Sequence, residues 1–127
     1  MKINHTNIHA KNIALHENAL DGQKFKLEPE FFKTITKLEE GKYRLELSVE
    51  IKNKPEKPFP LDIIVDFETV YTFNEYKDDD ELETFLNINA IQMIFPFMRA
   101  AINSVVSAAM LPPMVLPIID VRQFKNR

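Results

Sequence analysis

The chain has 127 residues, 45% hydrophobic and 28% charged, with a formal net charge of −3. That is the profile of one soluble globular domain with room for a core and no basic field for nucleic acid. It has no cysteine, which excludes disulfides, thiolate metal sites and thiol catalysis, and the opening MKINHTNIHAKN lacks the apolar stretch of a signal peptide, so a cytoplasmic location is expected.

Residues 1–16 carry Ile3, Ile8, Ile13 and Leu15 at uneven spacing, which predicts a strand with a bulge or a change of face. Asp21-Gly22 marks a turn over residues 18–23. Residues 24–38 bring Phe25, Leu27, Phe31, Phe32, Ile35 and Leu38, broken at Pro29; the proline predicts an edge strand or two short ones. Glu39-Glu40-Gly41-Lys42 is a tight hairpin connection. Tyr43, Leu45, Leu47, Val49 and Ile51 then alternate with Arg44, Glu46, Ser48, Glu50 and Lys52, a strand with one face in a core and the other in water. A proline-rich loop over residues 53–60 leads into a further strand that turns Ile63, Val65, Phe67, Thr69, Tyr71 and Phe73 inward. Four strands joined by short links predict an antiparallel meander.

The period then changes. Acids at Asp78 to Glu81 open a helix where the dipole favours them, with Leu82, Phe85 and Leu86 on its buried side. Residues 87–89 are expected to link it to a longer helix in which Pro96 is a start or a kink. There Ile94, Phe97, Met98, Ala101, Ile102, Val105 and Ala109 share one face, and Ala100, Ser104, Ser107 and Ala108 form a small-residue stripe beside it. Small residues let a second backbone come close, so that stripe is the expected oligomer interface. Residues 100–119 carry no charge over roughly a bilayer's thickness, but Pro112, Pro113 and Pro117 and the polar Asn103, Ser104 and Ser107 argue against a membrane span.

No catalytic constellation stands out. His5 and His9 can share a strand face, yet no further ligands accompany them. The acidic run at residues 75–83 lacks the glycine turn of a calcium loop, and two glycines cannot build a phosphate loop. None of Ser48, Ser104 and Ser107 sits in a nucleophile elbow. No enzyme, cofactor or metal is expected. What remains is an apolar excess, running from Phe85 and Ile88 through Met110, Met114 and Leu116 to Ile119, that one small domain has trouble burying. Methionine-rich apolar surface adapts to varied partners.

Ile94-Phe95-Pro96-Phe97-Met98-Arg99, then Ile102-Asn103-Ser104-Val105-Val106, then Leu111-Pro112-Pro113-Met114, resemble the helix and proline loop of SecB-type protein-export chaperones. The opening strand of that family is similar to residues 8–17, and the strands at residues 43–51 and 70–73 fall in matching order. The resemblance implies an α+β fold over residues 1–127, a four-stranded antiparallel sheet with a long helix packed on one face. It also implies a homo-tetramer, a dimer of dimers with its helices sandwiched between sheets, binding unfolded polypeptides in apolar grooves and passing them to the SecA motor. By position, Ile91, Ile94, Phe95 and Met98 belong to the helical layer. Tyr71, Phe73, Met114 and Leu116 lie near the client groove, to which the sequence cluster adds Met110. Asn12, His16 and Ile64 stand where family members place motor-docking acids, and the chain reaches residue 127 with only a turn expected around residues 120–124 in place of the family's second helix. Those departures argue for client binding and against SecA docking.

The leading expectation is therefore an ATP-independent holding chaperone for unfolded or preprotein polypeptides. A SecB-like adaptor for one partner, such as an antitoxin or a mobile-element protein, is the second reading, and a carrier of small apolar ligands between helix and sheet the third.

Overall fold

The computed structural model describes residues 1–20 and 25–127; the Asp21-Gly22 turn lies outside them. The strands are β1 (Lys2–His5), β2 (His9–Glu17), β3 (Glu30–Glu39), β4 (Lys42–Ile51), β5 (Leu61–Asn74) and β6 (Phe124–Asn126), and the α-helices are α1 (Asp79–Thr84) and α2 (Ala90–Ala108). This is an α+β architecture, but the sheet has six strands rather than four.

The meander holds for β3, β4 and β5, whose neighbours pair antiparallel. It fails at the N-terminus. There β1 and β2 line up one after the other along the far edge of β5, so the first strand lies beside the last of the three, as in a Greek key. The reason is length: β5 has 14 residues, enough to pair with β1 through Lys2 to His5 and with β2 through His9 to Glu17. The uneven isoleucine spacing is explained by a register shift between Ala10 and Asn12. The turn expected around residues 120–124 is a 3-10 turn, Val121–Gln123, and strand β6 follows it, parallel beside β3.

Gly41 closes the β3–β4 hairpin at φ 73°, where a Cβ would come to 3.0 Å from the Phe73 carbonyl and 3.1 Å from the Tyr76 ring. Both the conformation and the space require glycine. On the sheet, the alternation is as expected: Tyr43, Leu45, Leu47, Val49 and Ile51 face inward with Ile63, Val65, Phe67, Tyr71 and Phe73.

Asp78 caps α1 by accepting from the Glu81 N–H at 3.0 Å. The expected link at residues 87–89 is absent; α1 passes through a π turn, Phe85–Asn89, straight into α2. The wider turn changes the helical phase, and leaves Leu82, Leu86, Ala90, Ile91, Ile94, Phe95, Met98, Ile102 and Val106 buried on the sheet. This corrects the helix face. Phe97 points outward, 56% exposed, while Phe95 and Val106 take the inner positions. Pro96 lies inside α2, at an exposed position. Residues 79–108 are long and apolar enough to cross a bilayer by composition alone, but their apolar face covers the sheet.

Candidate functional site

Polar chemistry offers little. Among the described residues no group of three or more His, Asp or Glu side chains is placed to hold a metal. His5 turns its Nδ1 to the Thr6 carbonyl at 2.7 Å and packs on the Tyr71 ring, and His9 turns its Nδ1 to the Asn7 carbonyl at 2.9 Å.

The helix-free face of the sheet is a lattice of opposite charges. Lys11 meets Glu46 at 3.2 Å, Arg44 meets Glu68 at 3.0 Å, and Glu50 is shared by Lys52, at 3.0 Å, and Arg127. Burial pushes the Glu50 carboxyl up, but its bonds to Lys52 and Arg127 outweigh that and hold it below the usual carboxylate range. Asn12 donates to Asp66 at 3.3 Å, His16 stands across from Asp62, and Ile64 lies across from Ala14. The three positions singled out in the sequence thus share this face, and each has an uncharged or acid-facing neighbour instead of adding a free acid.

Apolar surface collects elsewhere. On the outer side of the helix Ile88, Met93 and Phe97 are exposed, and beyond its end Met110 is 92% exposed at φ 59°, followed by exposed Val115 and Ile118, the last at 90%. A groove of about 480 Å³ runs between the N-terminal edge of the sheet and α2, lined by Ile8, His9, Phe67, Phe97, Ala100 and Ser104 among others.

The sequence-expected interface residues all lie on this outer side. Ala100, Ser104, Ser107 and Ala108 are exposed, the first two in the groove beside Phe97. The expected client residues separate into two groups. Tyr71 and Phe73 are buried under Phe85, with ring centres 5.5 and 5.6 Å from it. The Tyr71 hydroxyl has no protein partner among the described residues, and burial raises its pKa. Leu116 is buried far along the helix, its carbonyl accepting from Arg99 Nη2 at 3.2 Å, with Met114 partly buried and Met110 exposed nearby in sequence. Phe85 and Arg99 are separated by about 20 Å of helical rise. One chain does not bring the two groups together.

Two features escaped the sequence reading. Phe97 has the spacing of the buried face yet is exposed, and β6 follows the expected turn at residues 120–124 without a pattern of its own. Asp120-Val121-Arg122-Gln123 is a capping box whose Gln123 side chain accepts from the Asp120 N–H at 2.9 Å, and the turn it caps leads into Phe124.

The fold has known counterparts. An uncharacterized protein of Methanocaldococcus jannaschii is 32% identical over 98 residues, covering 76% of this chain and 55% of its own length; the chain spans about half of that relative. Among solved structures, the Mycobacterium tuberculosis SecB-like chaperone in complex with a ChAD peptide from an antitoxin superposes with a TM-score of 0.75 at 12% identity, covering 93% of this chain and 91% of its own. The family model of the preprotein translocase subunit SecB matches residues 7–126: the chain belongs to the SecB family.

Proposed function

We propose that this chain is an ATP-independent chaperone that holds unfolded polypeptides on apolar surface, without catalysis of its own. The observation that carries the reading is the exposure of the apolar side chains Met93, Phe97, Met110, Val115 and Ile118 on a chain whose helix–sheet layer is already filled by Leu45, Leu47, Val65, Ile94, Met98 and Ile102. A filled interior also weighs against the small-ligand carrier. Exposed apolar side chains in this number call for something to cover them. Part is assigned to a second copy: Ala100, Ser104, Ser107 and Ala108 would let helices meet in a dimer or a tetramer, bringing Tyr71 and Phe73 of one copy nearer to Met110, Met114 and Leu116 of another. The rest is assigned to clients. Titration of a permanently unfolded, carboxymethylated protein tests the reading; binding that is independent of ATP and lost in Met110→Ser/Met114→Ser supports it, and unchanged affinity in a correctly assembled variant refutes the site. Ser104→Arg would place an unpaired charge in the interface and split the assembly in sedimentation.

A dedicated partner is the second form of the reading. The structural neighbour holds an antitoxin peptide, and the helix-free face here pairs its acids with Lys11, Arg44, Lys52 and Arg127. A basic segment of SecA would meet little free negative charge. Calorimetry with SecA should give no salt-sensitive binding at micromolar concentration.

A further inference from the structure

Helix α2 ends in a turn that suits glycine and holds methionine. The Met110 N–H reaches the Ser107 carbonyl at 3.0 Å and the Leu111 N–H reaches the Val106 carbonyl at 3.2 Å, the paired bonds of a Schellman ending around the cap residue Ala109. That closure puts Met110 at φ 59°, a left-handed conformation that glycine adopts freely and that a residue with a Cβ resists. Packing does not offset the strain, because Met110 is 92% exposed. A methionine held against the preference of its backbone, with its side chain in water, points to contact or chemistry rather than to the stability of the fold.

The chemistry open to it is oxidation. The chain has no cysteine and no tryptophan, so its thioethers are the side chains that an oxygen-donating oxidant such as hydrogen peroxide attacks first. The methionines differ widely in access. Met98 is fully buried beneath the helix, Met114 is partly buried, Met93 is half-exposed, and Met110 stands clear of the protein.

We propose that Met110 is a site of reversible oxidation by peroxide, and that its oxidation releases bound polypeptide. The sulfur lone pair attacks one peroxide oxygen, the S–O bond forms as the O–O bond breaks, and the sulfur loses two electrons to the peroxide. The attacked oxygen passes its proton to the departing hydroxide, which leaves as water. The product is a sulfoxide, polar where the apolar side chain met its client. A dithiol, acting through methionine sulfoxide reductases, returns the thioether; the two thiols become a disulfide and the oxygen leaves as water. Met98 is shielded throughout, so the switch works at the surface and leaves the core standing. The release rests on the holding function proposed above, and the oxidation does not.

The test treats the full chain with limiting hydrogen peroxide and follows each methionine by peptide mass spectrometry. Oxygen should be added first at Met110, later at Met93 and Met114, and last at Met98. Affinity for a carboxymethylated unfolded protein should fall about tenfold on oxidation and return after treatment with methionine sulfoxide reductases and dithiothreitol. Met110→Leu keeps the apolar contact without the sulfur, so its affinity should match that of the untreated wild type and withstand the peroxide. Met110→Gly relieves the turn and should raise the urea midpoint. Oxidation of Met110 no faster than of Met98, an equal loss of affinity in oxidised Met110→Leu, or a lower midpoint in Met110→Gly each overturns the proposal. Absence of client binding by the untreated wild type overturns the holding function and the release together, and the order of oxidation then decides the site alone.

Discussion

Helix α2 and the segment that follows it are both strongly apolar, yet the fold treats them differently. In α2 the apolar residues repeat at helical spacing, so Ile91, Ile94, Met98, Ile102 and Val106 reach the sheet together. In residues 110–119 the prolines forbid any such period, and only Leu116 is buried while Met110, Val115 and Ile118 stay out. Apolar composition therefore serves stability where periodicity gathers it on one side, and is left available for contact where prolines scatter it.

The largest effect should come from the gathered side. Met98→Ala removes a fully buried side chain and should cost about 3 kcal/mol in urea unfolding; a loss below about 1 kcal/mol would mean the helix is not part of the cooperative core. Phe124→Ala should cost less than a buried phenylalanine usually does, about 2 kcal/mol rather than about 3–5, because a strand of three residue pairs can peel away instead of preserving a cavity. Hydrogen exchange should then accelerate in β3 without spreading to β4; acceleration throughout the sheet would erase the distinction between core and segment.

Much of the sheet was legible because its physics is local. The alternation from Tyr43 to Ile51 and from Ile63 to Phe73, and the Gly41 hairpin, gave β4, β5 and the inward face directly. The partner of the N-terminal strand was not legible, since pairing with β5 joins residues far apart in the chain, from Glu17 with Leu61 to Lys2 with Asn74, and the pattern of Ile3, Ile8 and Leu15 fits either edge. The helix face was ambiguous for a different reason: Ile94, Met98 and Ile102 fit a stripe flanked either by Phe97 and Val105 or by Phe95 and Val106, and the sheet covers the second. Of the candidate site, the exposed small-residue stripe was visible as spacing. The separation of Tyr71 from Leu116 was not, because it depends on where the segment returns along the helix.

Smaller effects sharpen the contrast further. Met110→Ser and Ile118→Ser should each change stability by no more than about 0.5 kcal/mol, since both side chains already face water; a larger loss would show that the segment is packed after all. The least effect concerns the turn before β6. The Arg122 side chain and N–H hold the Asp120 carboxyl down to about 2. A depressed carboxyl stabilises the fold above its ordinary range, and this contribution is lost as pH falls toward 2. Asp120→Asn should flatten the acid limb of the stability profile slightly, and an unchanged limb would remove the turn from the account.

The central claim is that exposed apolar side chains on the outer helix and the C-terminal segment hold unfolded polypeptide. It is tested most directly by light scattering of an aggregating client with the wild type and with Phe97→Ser/Met110→Ser/Ile118→Ser, all three positions being exposed. The account predicts that the wild type suppresses aggregation without ATP and that the triple variant, equally stable in urea, does not. Full suppression by the triple variant, or none by the wild type, would contradict it.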